Sequence, residues 1–194
     1  MPEAGRYLWR YSIPWMSPGT LEYLMTRIAT DPFDAVPEVM ARITSPGLLL
    51  TCGTEGNPIT IGWGSVGIIW GKPIFTVLVR PSRYSFGLLR RLGDFCVNVP
   101  AENDAAMKSA VAWCGSHSGR DGDKASDCGI TKEAGIVIDV PHIRECPVHF
   151  ECRSVHANHV LDAEIDGGIR NRFYPKGDLH QIWWGEILGC WRVA

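Results

Sequence analysis

The sequence predicts a mainly β protein with a few short helices, folded into a closed or nearly closed antiparallel barrel. Turn-forming residues are abundant, with 21 glycines and 13 prolines among 194 residues, and 8 tryptophans supply large side chains to pack between the turns. Stretches rich in β-branched and aromatic residues also outnumber the stretches with helical periodicity. A barrel suits a small β-rich chain because closing the sheet removes its unpaired edges.

Residues 1–47 differ in pattern from the rest and are predicted to form an N-terminal arm with short helices. One helix is expected from an N-cap at Thr20 to Ile28 and a second over residues 34–43, because apolar residues recur on one face of each. This arm is expected to lie on the main domain, residues 48–194, or on a partner subunit.

Strand patterns begin at Leu48. Two apolar stretches that flank a turn at residues 55–57 predict a hairpin, and the continuous apolar run over 73–79 predicts a buried strand. Further strands are predicted over residues 95–99, 135–140, 147–165 and 180–193, with a loop over 167–178.

Two short helices are predicted between these strands. The first begins at Ser82 as its N-cap and ends at Gly93, whose lack of a side chain suits a helix stop. The second begins near Asn103 and buries one face that includes Met107 and Val111.

Composition and charge argue against nucleic acid or a membrane as partner. The formal net charge is −2 and the isoelectric point is about 6.3, and Lys72 and Pro73 interrupt the most apolar stretch. The N-terminal residues have no continuous apolar core of a secretory signal. Seven cysteines at irregular spacing, without a C-x-x-C pair, indicate reduced thiols in a cytoplasmic protein.

The junction VRPSRYSFG, residues 79–87, is a candidate anion site. The free N–H groups at the start of a helix attract negative charge, and Arg80, Ser82, Arg83 and Ser85 can add donors to a phosphate. The alternative is that Ser82 only caps the helix and that both arginines are solvated.

The loop CGSHSGRDGDK, residues 114–124, is a second candidate. Gly115 and Gly119 allow consecutive N–H groups to form an anion-binding concavity, and hydroxyls and the Lys124 ammonium can add donors. The alternatives are a polar surface loop, a metal pair of Cys114 and His117, and a nucleophile and base formed by the same two residues. The metal pair lacks two obvious partners.

Two further sets of residues have less specific patterns. His149, His156 and His159 with Cys152 suggest a metal site, but strand alternation points His149 away from Cys152 and His156, so no metal is predicted. Around the first hairpin, Asn57, Thr60 and Trp63 would suit an aromatic ring ligand. A core tryptophan and a turn asparagine explain the same letters.

Several stretches together resemble the flavin reductase-like family of FMN-binding split β-barrels, and in particular its flavoredoxin-type members. These stretches are NPITIGWGSVG (57–67), KPIFTVLVRPSRYSF (72–86), FCVNVP (95–100), CGSHSGRDGDK (114–124), PVHFECR (147–153) and FYPKGDLHQIWWGEI (173–187). The resemblance covers about residues 46–190 and implies an antiparallel Greek-key split β-barrel. The family pattern often has a phenylalanine where this chain has Ala125.

The resemblance implies a non-covalently bound FMN at a homodimer interface. The residues implied along the isoalloxazine ring are Asn57, Thr60, Gly62 and Trp63. Those implied at the phosphate or ribityl chain are Arg80, Ser82, Arg83 and Ser85. Those implied to close the site are Ser116, His117, Ser118, Gly119 and Lys124.

The function implied is that of an FMN-dependent oxidoreductase. It would pass electrons from NADH, NADPH or a redox partner protein through FMN to a flavin or another acceptor. Because the cofactor carries the chemistry, no catalytic acid or base is predicted, although His117 is a candidate proton donor. An FMN-binding electron carrier without turnover of its own is the alternative, and a barrel for another phosphorylated aromatic ligand is a third hypothesis.

Overall fold

The structure is a computed structural model that describes residues 27–194. The strands are β1 (Arg27–Ala29), β2 (Leu48–Cys52), β3 (Asn57–Ile61), β4 (Gly64–Ile69), β5 (Lys72–Val79), β6 (Asp94–Val99), β7 (Lys132–Glu133), β8 (His142–Ile143), β9 (Val148–His159) and β10 (Gln181–Val193). The helices are α1 (Val36–Arg42), which follows a 3-10 turn at Pro32–Ala35, α2 (Tyr84–Leu92), α3 (Ala105–Ser116), α4 (Lys124–Asp127) and α5 (Gly167–Phe173).

One antiparallel sheet organises the described chain. Its strand order is β3-β2-β6-β9-β10-β5-β4, β1 pairs with the far end of β10, and β7 and β8 form a separate pair. The two ends of this order, β3 and β4, are consecutive in the chain and are joined by Gly62 and Trp63. Apolar side chains from β2, β3, β5, β6, β9 and β10 share one core, so the sheet wraps around it. The predicted mainly antiparallel β-barrel is confirmed.

The outer face of β2 explains how α3 is held against the barrel. Every residue of β2 is buried. Leu48 and Leu50 belong to the barrel core, whereas Leu49 packs in a second cluster with Met107 and Val111 of α3. A strand covered on both faces needs a continuous apolar run, which is the pattern of residues 48–50. This packing fixes where α3 ends and where the following loop begins.

Residues 27–47 lie against the same domain. Arg27 is buried and donates to the carbonyl oxygens of Cys146 and Arg144, at 2.8 and 2.9 Å. Val39 and Ile43 of the α1 region join the barrel core. The predicted second helix is therefore present, but Ile28 belongs to a strand and not to a helix. The rest of the predicted first helix lies outside the described residues, and the boundary at residues 47 and 48 stays a prediction.

Three local predictions are wrong, and in each case a side-chain contact or a helix cap differs from the one that the sequence pattern indicated. Residues 135–140 form no strand, since the Glu151 carboxylate accepts N–H groups of residues 136–138 that a strand would have paired. The first seven residues of the predicted loop over 167–178 form helix α5, which is capped by the Asp166 side chain. The N-cap of α2 is Arg83 rather than Ser82. In contrast, Gly93 ends α2 at a φ of 76°, as predicted.

No helix among residues 27–194 is both long enough and apolar enough to cross a membrane.

Candidate functional site

A cavity of about 280 Å³ lies between the start of α2 and the loop after α3. Both elements present polar groups to it, and its wall includes most of the predicted anion-binding residues. These are Ser82, Arg83, Ser85, Ser116, His117, Ser118, Gly119 and Lys124. The two candidate anion sites of the sequence, about 30 residues apart along the chain, therefore form one concave site.

Lys124 is the buried charge of this cavity. The residue is 3% exposed, and its Nζ donates to the carbonyl oxygen of Cys114 at 2.9 Å. Within the described part of the chain no carboxylate forms an ion pair with it. Burial lowers the pKa of Lys124 below the ordinary lysine value, and the charge of Arg83 acts in the same direction. An ammonium buried without a counter-ion is costly, so an anion in the cavity would be strongly favoured.

The glycine at position 119 allows the loop to approach β3 and α2 closely. A Cβ added at Gly119 would collide with the Asn57 side chain and would lie 2.8 Å from Cδ1 of Tyr84. Asn57 in turn donates from Nδ2 to the Ser85 hydroxyl at 2.8 Å. Asn57 therefore supports the base of this cavity, and it also lines an adjoining cavity of about 630 Å³. Its implied place along an isoalloxazine ring stays a prediction.

Ser82 has a partner that the sequence did not suggest. The Asp178 carboxylate accepts from the Ser82 backbone N–H at 3.2 Å and from its hydroxyl at 2.6 Å. Arg80 reaches the same segment, donating to the carbonyl oxygens of Phe173 and Asp178 at 2.9 and 3.3 Å. Arg80 and Ser82 therefore tie residues 173–178 to the end of β5, and Arg80 does not line the anion cavity.

A second, smaller cavity of about 190 Å³ is lined by three of the four residues predicted along an aromatic ring. Thr60, Gly62, Trp63, Arg80 and His180 line it. Trp63 is 38% exposed, and its ring lies against those of Phe173 and His180, with centroid distances of 5.0 and 4.9 Å. The Thr60 hydroxyl donates to the carbonyl of Val111 and so joins β3 to α3 between the two cavities.

His180 is the titratable group of this second cavity. Its Nδ1 lies 2.8 Å from the hydroxyl of Tyr174, and burial, with the charge of Arg80, lowers the pKa of His180 to about 4. The ring is therefore neutral at pH 7. His117, the proton-donor candidate of the sequence, lines the cavity of about 280 Å³ and stacks on Trp113, with 3.5 Å between the ring centroids.

The described residues that could hold a metal by proximity are His142, His149 and Glu151. The two imidazole rings stack at 4.0 Å with only 10° between their planes, so their nitrogen lone pairs lie in parallel planes and do not converge. The Glu151 oxygens already accept three backbone N–H groups. Burial lowers the pKa of both histidines, which fits a neutral structural cluster. Of the histidines grouped from the sequence, His156 lies elsewhere, between Trp70 and Trp184.

Comparison with known proteins identifies the family to which this chain belongs. The sequence model of the flavin reductase like domain matches residues 40–194. The chain belongs to the flavin reductase like family. An uncharacterized protein of Archaeoglobus fulgidus is 30% identical over 141 residues, which are 72% of this chain and 68% of that protein.

Solved structures of the family share the fold. Flavoredoxin from Methanosarcina acetivorans is 25% identical, with a TM-score of 0.57 over 75% of this chain and 67% of its own. An FMN-binding protein from Thermus thermophilus, solved with p-hydroxybenzaldehyde, is 22% identical, with a TM-score of 0.56 over 75% and 70% of the two chains. Nitrilotriacetate monooxygenase component B from Bacillus cereus is 14% identical, with a TM-score of 0.60 over 95% and 83%.

Sequence reasoning missed three residues that line these cavities or contact the residues that line them. Tyr174, Asp178 and His180 all lie in the stretch FYPKGDLHQIWWGEI, which carried the resemblance but yielded no site residue. A polar cluster immediately before a buried strand was the available signal. Asp178 also has a φ of 58°, a left-handed conformation that favours glycine or asparagine and that marks a constrained position.

Proposed function

We propose that this protein binds FMN non-covalently and is an oxidoreductase, passing electrons from NADH, NADPH or a redox partner to a flavin or another acceptor. Its family membership supports a flavin ligand. The positively charged cavity between α2 and the loop after α3 suits a phosphate, and the smaller cavity lined by Trp63 suits an aromatic ring. The observation that carries the proposal is Lys124, a buried ammonium on the cavity wall without a carboxylate partner in the described chain.

The residues present fit the phosphate end of FMN. Lys124 and Arg83 supply positive charge, while Ser85, Ser116 and Ser118 supply hydroxyl groups. The N-terminus of α2 adds the positive end of its helix dipole, because Arg83, Tyr84 and Ser85 all line the cavity. We assign Arg80 to positioning the 173–178 segment rather than to the phosphate.

The residues of the smaller cavity fit an aromatic ring. Gly62 and Trp63 line this cavity together, and the Trp63 ring packs against those of Phe173 and His180. The Tyr174 hydroxyl donates to His180 Nδ1 in this proposal, so that the neutral imidazole keeps its proton on Nε2. FMN, when bound, supplies a ring that accepts a hydride or single electrons and passes them on. The protein binds that ring, orients it and limits its contact with water.

The first experiment is a visible spectrum of the purified protein and its titration with FMN. Yellow protein, or quenching of FMN fluorescence that saturates at one FMN per chain, is the expected result. A colourless protein that leaves FMN fluorescence unchanged would contradict the proposal. Mass spectrometry of any ligand released on denaturation separates FMN from another phosphorylated aromatic compound.

A second assay separates an enzyme from an electron carrier. The FMN-loaded protein is mixed anaerobically with NADH or NADPH, and flavin absorbance is followed. Bleaching by a nicotinamide supports a reductase. Flavin that stays oxidised with both nicotinamides, but is bleached by a reduced redox protein, supports the carrier.

The proposal includes a homodimer. Strand β4 ends the strand order, and Ile68 and Trp70 at that edge are 61% and 65% exposed. Large exposed apolar side chains beside a sheet edge are typical of a contact surface. Light scattering during gel filtration tests this, with a mass near twice that of the chain expected and a monomer contradicting it.

A further inference from the structure

Two cysteine side chains lie side by side at the base of the loop over residues 114–124, which lines the cavity of about 280 Å³. Cys114, near the end of α3, and Cys128, directly after α4, have their sulfur atoms 3.8 Å apart. All seven cysteines lie within residues 27–194, and this is the only sulfur pair there at hydrogen-bonding distance. The 13 residues between them include Ser116, Ser118 and Lys124, so the pair brackets the part of the chain that closes the cavity.

Exposure distinguishes Cys128 from the other cysteines. Cys128 is partly exposed, whereas the remaining six are buried. Cys114 is 1% exposed and lies beneath the loop. A small oxidant in solution therefore reaches Cys128 first, and the Cys114 thiol is already in place to react with the product.

The surroundings of the two thiols favour the same order of reaction. Burial raises the pKa of Cys128, but the neighbouring Cys114 thiol, nearby backbone N–H groups and the charge of Lys124 lower it in part. Burial raises the pKa of Cys114 to about 12. Both groups are therefore mainly protonated at neutral pH, and Cys128 is the more readily ionised of the two.

We propose that Cys114 and Cys128 are a modification site, at which hydrogen peroxide forms a reversible disulfide that weakens ligand binding in the adjoining cavity. The Cys128 thiolate attacks one peroxide oxygen, the O–O bond breaks, and hydroxide leaves and is protonated to water. The resulting sulfenic acid is attacked by the Cys114 sulfur, so the S–O bond breaks and a second water forms. The sulfurs lose two electrons and peroxide gains two.

The disulfide would act on the cavity through its geometry. A disulfide bond is about 2.0 Å long, so the sulfurs must approach by roughly 1.8 Å from their present separation. Cys114 directly precedes Gly115 in the cavity wall, and its carbonyl holds Lys124. A shift of that carbonyl moves the ammonium, and the loss of one charged hydrogen bond to the ligand would raise its Kd about tenfold.

The bond itself is tested by mass spectrometry of the folded protein after treatment with hydrogen peroxide. Trypsin without reductant should release residues 109–120 linked to residues 125–132, each of which contains one cysteine. Dithiothreitol should separate them. Free thiols at both positions after treatment, or a disulfide elsewhere, would overturn the proposal.

Two variants establish the order of reaction. In Cys114→Ser, the sulfenic acid at Cys128 has no partner, so dimedone should label the peptide of residues 125–132. In Cys128→Ser, dimedone should label neither peptide. Labelling of Cys114 in the second variant, with none of Cys128 in the first, would contradict the assigned order.

The effect on the cavity rests on the proposed flavin function and is measured separately. FMN is titrated into reduced, peroxide-treated and re-reduced protein, with Cys128→Ser as the control that should not respond to peroxide. A rise in Kd of about tenfold that dithiothreitol reverses supports the proposal. A disulfide with unchanged FMN affinity overturns its effect on binding. A protein that binds no FMN in any state contradicts the proposed function and leaves the disulfide result standing.

Discussion

Replacing Lys124 by methionine separates a ligand-binding lysine from a merely structural one. Lys124 is 3% exposed, and its ammonium gives one hydrogen bond to the Cys114 carbonyl. Methionine keeps most of the side-chain volume but removes the ammonium. Loss of a charged hydrogen bond to the FMN phosphate costs about 1.5–3 kcal/mol, which raises the Kd roughly 10- to 150-fold. Riboflavin lacks the phosphate, so its affinity should change little.

The same substitution should not destabilise the ligand-free protein. A buried ammonium without a counter-ion opposes folding, and replacing buried ionic groups by apolar side chains of similar volume can stabilise a protein by about 1–4 kcal/mol. The Cys114 carbonyl loses its donor, which offsets about 1 kcal/mol of that gain. We therefore expect a free energy of unfolding between unchanged and about 3 kcal/mol higher, measured by urea denaturation of apoprotein.

The assay is fluorescence titration of FMN and of riboflavin into wild type, Lys124→Met and Lys108→Met. Lys108 is an exposed lysine on α3, so its replacement matches the change in net charge without touching the cavity. An equal loss of affinity for FMN and riboflavin in Lys124→Met would refute the reasoning, because the ammonium would then not act on the phosphate. Unchanged FMN affinity would refute it as well.

Three other predictions test separate parts of the site. Gly119→Ala should weaken FMN binding and lower the free energy of unfolding by about 1–3 kcal/mol, because the added Cβ would collide with Asn57 and Tyr84. FMN titration and urea denaturation measure the two effects. Wild-type values in both assays would contradict the close packing at this glycine. Asp178→Asn should tighten FMN binding by less than about fivefold and leave riboflavin binding unchanged, because it removes an exposed negative charge. Asparagine tolerates the left-handed backbone at this position. Weaker FMN binding in this variant would contradict the prediction and show that the carboxylate supports the site. The pKa of His180 is lowered from 6.5 to about 4 in the folded protein. Between these pH values the unfolded chain binds more protons than the folded protein, so stability is lost as the pH falls. The urea midpoint should therefore fall less steeply between pH 7 and pH 5 in His180→Asn than in wild type. Identical slopes would contradict a neutral His180 ring.

The elements that the sequence predicted correctly are those with a local physical cause. The hairpin of β2 and β3 follows from two apolar runs around a turn, and Gly93 ends α2 because glycine adopts the left-handed conformation there. The start of α3 at Asp104 follows from an acidic side chain that accepts the N–H of Met107. Each of these depends on residues within a few positions of one another.

The site was predictable only as two halves. The glycines, hydroxyls and Lys124 of the loop indicated an anion, and so did the arginines and serines before α2. Their meeting in one cavity depends on how α3 packs against β2 and β3, which no local pattern specifies. The burial of Lys124 is likewise invisible in the letters, because loop lysines are ordinarily exposed.

By itself the sequence determined the β-rich fold class, the first hairpin, the end of α2 at Gly93, the start of α3 and the donor types that an anion needs. Only the tertiary structure decided the partners of those donors. Asp178 binds Ser82 across 96 positions, and Glu151 holds residues 136–138 out of the sheet. The tertiary structure also decided that the sulfur atoms of Cys114 and Cys128 lie side by side. The periodicity of apolar residues in the sequence indicates which face of a helix or strand is buried. Contacts between distant residues form only when the barrel closes and brings its strand ends together.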